Sequence, residues 1–230
     1  MDDLKELQKR IGVKFDDIEI LNTAFVHRSY LNEHKSVKAH NERLEFLGDA
    51  VLELVVTEFL YKNYENPEGD LTNWRSALVK TESISEAASR LGFEQYLKMS
   101  RGERASSGRS RQLILANSFE AVTGAIYLDQ GYQAAKSFIS KNIIVNLPEI
   151  IERKLYIDSK SLFQELAQEK EGLTPRYEVV SEEGPDHDKI FEVSVRVGDK
   201  VWGKGKGASK QLAQQEAAKE ALANYEKQSG

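Results

Sequence analysis

The sequence predicts two domains of different class. An all-α domain spans residues 1–152, a linker 153–157, and a small α+β domain ordered α-β-β-β-α spans 158–227. Three observations predict this. Apolar residues recur at helical spacing from the first residues to the stretch before Pro148. Beyond that, YEVVSEE, KIFEVSVRVG and KVWGKGKG alternate at period two and read as antiparallel strands. Last, the Ala-rich ASKQLAQQEAAKEALANYEK returns to a helical pattern.

The elements follow in order. LKELQKRIG is a first helix, and a polar region with Tyr30, Asn32 and His34 separates it from a helix at 41–63. PEGD at 67–70 is a turn, and LTNWRSALVKTESISEAASRLG reads as two helices. SRGERASSGRSR at 100–111, rich in Ser, Gly and Arg, reads as a mobile loop. LILANSFEAVTGAIYLDQG is an apolar helix ending at Gly131, and AAKSFISKNIIVNL closes the helical part. Asp158 is placed to cap the helix of SKSLFQELAQEKEG. GPDHDK at 184–189 and Gly198-Asp199 are the two strand-joining turns. Trp74 and Trp202 read as packing residues.

One helix carries chemistry. In HNERLEFLGDAVLELVV, residues 40–56, Glu42, Glu45 and Asp49 stand at i, i+3 and i+7, within about 60° of one another. Leu44, Leu47, Val51, Leu54 and Val55 fall on the other side. Most acidic stripes are solvated faces. This one lacks the interleaved Lys and Arg of an exposed face. Gly48 beside Asp49 costs the helix about 1 kcal/mol and points to close approach by something. Crowded like charges favour either a proton or a bound cation, and oxygen donors suit Mg²⁺ or Mn²⁺. The acids are expected to face away from the core.

Composition excludes other chemistry. There is no cysteine, so no disulfide, thiolate metal site or Cys nucleophile exists, and a reducing compartment is the natural setting. MDDLKELQKR is charged from its second residue and does not read as a signal peptide. No apolar run approaches a membrane span, so a soluble, cytoplasmic protein is expected. The net charge of −5 argues mildly against nucleic acid as a partner. Yet Arg196, Lys200, Lys204, Lys206 and Lys210, against Asp199 alone, form the basic patch a phosphate backbone needs.

Several stretches resemble a known family. ERLEFLGDAV at 42–51 closely resembles the signature of ribonuclease III. The α-β-β-β-α tail resembles a double-stranded-RNA-binding domain, in KSLFQELAQ, GPDH and GKGKGASKQLAQQEAA. AFVHRSY at 24–30, PEGDL at 67–71 and LANSFEAVTGAIYLD at 115–129 are also similar to family segments. The resemblance covers essentially the whole chain, in the bacterial order.

The resemblance implies an all-α endonuclease and dimerisation domain followed by the RNA-binding domain. It implies a metal-dependent endoribonuclease, acting as a homodimer on double-stranded RNA. Products would carry 5′-phosphate and 3′-hydroxyl ends with short 3′ overhangs, in ribosomal and messenger RNA processing. It implies Mg²⁺, with Mn²⁺ as the substitute ion, held by Glu45, Asp49, Asn117 and Glu120. Asp49, Glu120, Glu42 and Glu68 match family acids of the cut site, and Phe46 matches an aromatic of the dimer contact. Asn117 stands where the family often has Asp. That departure supports an alternative, a catalytically impaired double-stranded-RNA-binding protein. In the second domain the resemblance places Gln164, Glu165 and His187 in minor grooves. It places Ser209 and Lys210 on phosphates, with Lys204 and Lys206 adding charge. Gln211, where paired lysines are common, and Asp186 and Asp188 beside His187 imply a shallow salt dependence.

Overall fold

Two crossing helices organise the first part of the chain. They are α4 and α8 of a computed structural model that describes all residues except Met1, Ser106, Leu155, Ile157, Asp186–Asp188 and Gly230. The side chains of Asp2, Asp3, Glu226, Gln228 and Ser229 also lie outside the description. The chain divides into two compact units, Met1–Tyr156 and Ile157–Gly230.

The first unit is helical throughout. Its elements are α1 (Asp2–Ile11), α2 (Ile18–Ala24), α3 (Tyr30–Glu33), α4 (Glu42–Asn63), α5 (Glu68–Val79), α6 (Thr81–Arg90), α7 (Arg101–Arg104), α8 (Gly108–Asn142) and α9 (Leu147–Glu152). The segment at 100–111, predicted as a loop, is largely helical. Ser100 caps α7 by accepting from the Glu103 N–H, and α8 already begins at Gly108. Ser100 here acts as a local cap, and Gly102 and Gly108 lie within helices. Gly131, the predicted end of the apolar helix, does interrupt α8 at φ 76°, and a further helical stretch runs on to Asn142. That φ is open to glycine without strain.

Why α4 and α8 lie so close is a matter of two glycines. A Cβ on Gly48 would overlap the carbonyl of Glu120, and one on Gly124 would overlap the carbonyl of Leu44. The backbones therefore meet without side chains between them. This contact decides which face of α4 is core: Gly48, Val51, Leu52, Val55, Val56 and Leu60 are buried. Leu54, placed on the apolar face by its spacing, is 57% exposed. Around the crossing, Phe25, Phe93, Phe119 and Phe138 form a chain of ring contacts 4.9–6.3 Å apart. Asp129 fixes the start of α2 by accepting from the Asp16 and Asp17 N–H groups at 2.8 and 2.9 Å.

The second unit has the predicted order: α10 (Ser159–Glu171), β1 (Arg176–Glu183), β2 (Ile190–Val197), β3 (Lys200–Gly207) and α11 (Lys210–Ser229). Asp158 caps α10 by accepting from Lys160 and Ser161, and Gly172 ends it at φ 67°. The sheet is antiparallel in the order β1-β2-β3. Alanines of α11 lie against β3 so closely that a Cβ on Gly203 or Gly205 would overlap the Ala217 backbone. The GKGKG run and the Ala-rich helix thus explain each other. Trp202 stacks on Tyr225 at 4.5 Å and is buried, as Trp74 is in the first unit.

Candidate active site and nucleic-acid interface

The α4–α8 crossing brings four side chains together. Glu45 and Asp49 come from α4, one turn apart about Gly48, and Asn117 and Glu120 from α8. Of the α4 acids, Glu42 and Asp49 are exposed as expected, whereas Glu45 is half-buried in the seam rather than turned fully to water, as is Glu120 opposite it. The backbone contact at Gly48 draws them in.

The seam's electrostatics follow from that burial. Glu120 is pushed up to about 8, first by burial and then by the charges of Asp49 and Glu45. Glu45 is also raised, by burial and then by Glu42 and Asp49, while a hydrogen bond from the Asn117 amide favours its ionised form. At neutral pH Glu120 therefore holds a proton in the absence of a cation. Among the described residues no three acidic or histidine side chains are already drawn into a metal cage. Repelling carboxylates have no reason to converge until a cation draws them in.

The other acids stand differently. Glu42, at the start of α4, accepts from Arg28 at 3.3 Å and lies 3.8 Å from the Nδ1 of His40, a buried nitrogen without a hydrogen bond. Arg28, from the AFVHRSY stretch, supplies the cation the stripe lacks in sequence, and no spacing rule could have found it. Glu68 opens α5, accepts from Thr72 at 2.8 Å, and is not among the groups acting on Glu45 or Glu120. His27 serves the fold. Its ring meets Ser29 at 2.8 Å, and its pKa is lowered by burial. Phe46 is 81% exposed and borders an open cleft of about 860 Å³ that also involves Ile20, His40, Leu47 and Leu128. Unforeseen in the sequence are exposed Arg101, Arg104 and Arg109, displayed on α7 and at the start of α8.

In the second unit Gln164 and Glu165 are exposed on α10. Ser209 caps α11 by accepting from the Leu212 N–H at 3.2 Å, and Lys210 begins that helix. Lys206 is exposed on β3. His187 lies outside the described residues.

Comparison with known proteins decides the family. A profile described as Ribonuclease-III-like matches residues 17–147, and one described as Double-stranded RNA binding motif matches residues 159–225. The chain belongs to the ribonuclease III family. Relatives named Ribonuclease 3 include one from Treponema denticola, 44% identical over 96% of this chain and 91% of its own length. Another, from Streptococcus gordonii, is 47% identical over 93% of this chain and 92% of its own. A crystal structure of the nuclease domain of ribonuclease III from Campylobacter jejuni matches with a TM-score of 0.55 at 37% identity. It covers 62% of this chain and 97% of that one. As a ribonuclease III, the chain is an endoribonuclease with a helical nuclease domain and a double-stranded-RNA-binding domain.

Proposed function

We propose that the chain is a divalent-metal-dependent endoribonuclease that cuts both strands of duplex RNA as a homodimer. The observation that carries this reading is the seam. Two helices meet backbone to backbone, and burial in the seam, with the charges of Asp49 and Glu45 beside it, pushes Glu120 up to about 8. All four donors offer hard oxygens, which fits Mg²⁺, with Mn²⁺ as the substitute ion. A cation held there would offset the repulsion among these carboxylates and would favour the ionised form of Glu120.

Glu45, Asp49, Asn117 and Glu120 would hold the ion. Asn117 suits this part because its amide N–H donates to Glu45, which leaves its carbonyl oxygen for a metal. Such an ion polarises a phosphoryl oxygen and lowers the pKa of a water. Glu42, steadied by Arg28, and exposed Glu68 act on the RNA beside the cut from outside the donor set. Hydrolysis that expels the 3′ oxygen gives 5′-phosphate and 3′-hydroxyl ends, and paired offset cuts give short 3′ overhangs. The dimer is supported by Phe46, Leu54 and Tyr61, all on α4 and 81%, 57% and 80% exposed.

The duplex lies on the second domain through Gln164, Glu165, His187, Lys206, Ser209 and Lys210, which read shape rather than sequence. Arg101, Arg104 and Arg109 add cations to the nuclease unit. Family membership supports ribosomal and messenger RNA as substrates. The absence of cysteine supports the cytoplasm, and among the described residues no helix is long and apolar enough to cross a membrane.

The test is cleavage of a long, end-labelled RNA duplex with Mg²⁺, Mn²⁺ or EDTA, beside Glu120→Ala and Asn117→Asp. Metal-dependent cutting that Glu120→Ala abolishes is the expected result. The missing charge at Asn117 favours one other reading, a catalytically impaired duplex-RNA-binding protein. Binding without cutting, restored by Asn117→Asp, would establish that reading instead.

A further inference from the structure

We propose that Glu182 and Glu192 are internal counter-ions of the RNA-facing lysines. They occupy the place of phosphates, so that the second domain binds RNA by exchange. This rests on the reading that Lys206 and Lys210 face RNA.

Register and distance give each lysine its own glutamate, one pair on each face of the sheet. Lys206 on β3 stands directly opposite Glu192 on β2, with its ammonium 3.3 Å from the carboxylate. Lys210, the first residue of α11, reaches Glu182 on β1 at 2.9 Å. On the way its ammonium passes 5.4 Å from the centre of the Phe191 ring, and Phe191 is the β2 partner of Glu182. Lys210 is thus folded back over the sheet. The same pairing holds the Glu182 carboxyl below its usual range.

In each bridge the ammonium is exposed, so each is weak and open to exchange. A phosphate can take the lysine; the abandoned Glu192 must then attract a cation from solution, whereas Glu182 keeps Lys189 at 3.7 Å and loses only part of its compensation. That uptake offsets the counter-ion release that normally drives binding to a polyanion. The two glutamates thereby set affinity and salt dependence, each through its own lysine.

The test uses the full chain in EDTA, with duplex RNA, duplex DNA and single-stranded RNA of equal length, between 50 and 200 mM NaCl. The variants are Glu182→Gln, Glu192→Gln, their combination, Lys206→Met and Lys210→Met. Each Glu→Gln change is expected to tighten duplex RNA binding, most at low salt. The slope should steepen by about 0.9 per lysine released, a further ~3.5-fold change in affinity across that salt range. The combined variant should show the sum of the two single effects. Unchanged or weaker binding by the Glu→Gln variants, with both lysine variants impaired, would overturn the inference and leave the RNA face standing. Lysine variants that bind like the parent chain would overturn the RNA face and the inference with it.

Discussion

The acidic seam of the nuclease domain and the basic face of the RNA-binding domain treat charge in opposite ways. In the seam, the charges acting on Glu45 and Glu120 are all negative, and a proton on Glu120 is the compensation. On the basic face, Lys206 and Lys210 are each matched by a carboxylate. Glu45 and Glu120 are half-buried where two backbones meet, whereas the ammonium groups of Lys206 and Lys210 are exposed. Unbalanced charge in a rigid, drier place suits an ion that must be held. Balanced charge at the surface suits a partner that must come and go. On the proposed reading, one domain retains its ion and the other exchanges its partner.

The comparison can be broken most forcefully at Gly48. Gly48→Ala sets a methyl group into the Glu120 carbonyl, where backbone rather than a movable side chain must yield. A loss of about 3 kcal/mol or more is expected in urea unfolding, and cleavage falls with it. A variant of normal stability and activity would refute the backbone contact.

Glu120→Gln separates function from stability. Cleavage is expected to fall about a hundredfold or more if Glu120 is a ligand of the ion as proposed. Metal-free stability should move the other way. The folded Glu120 carboxyl, near 8, binds a proton that the unfolded chain releases near 4.5. Metal-free stability therefore falls as pH rises from about 4.5 through about 8. Glu120→Gln should flatten that fall and gain about 1–3 kcal/mol at pH 8, read by denaturant unfolding in EDTA at pH 6 and pH 8.

Asn117→Asp sharpens the same contrast. It adds a charge to the seam and removes the donor to Glu45, so metal-free stability drops at pH 8. Divalent-ion affinity should rise, on the order of tenfold by calorimetry. The smallest effect is expected from Arg28→Ala, which removes an exposed partner of Glu42. Stability should change by less than about 1 kcal/mol in the same unfolding assay, with a few-fold loss of cleavage in the duplex assay.

Much of this was legible in the sequence because it is local. The Asp158 cap, the Gly198-Asp199 turn and the period-two strands are each written within a few residues. Gly48 announced a close approach, and Glu120 met it from α8. What was hidden depends on distant partners. Leu54 reads as core by spacing, but the side of α4 that is buried is chosen by where α8 crosses. The same crossing draws Glu45 and Glu120 inward. Arg28 reaches Glu42 through a turn that no periodicity describes. Lys206 and Glu192 become neighbours only when β2 and β3 take their register. The segment at 100–111 was misread because Ser and Gly mark caps as well as loops.

The most direct test of the central claim is proton release on metal binding. Mn²⁺ is titrated into the RNA-free protein at pH 7 by calorimetry, in two buffers of different ionisation enthalpy. The expected result is release of close to one proton per ion bound, lost in Glu120→Gln. Binding without proton release, or equal release from Glu120→Gln, would contradict the claim that the seam trades a proton for its metal.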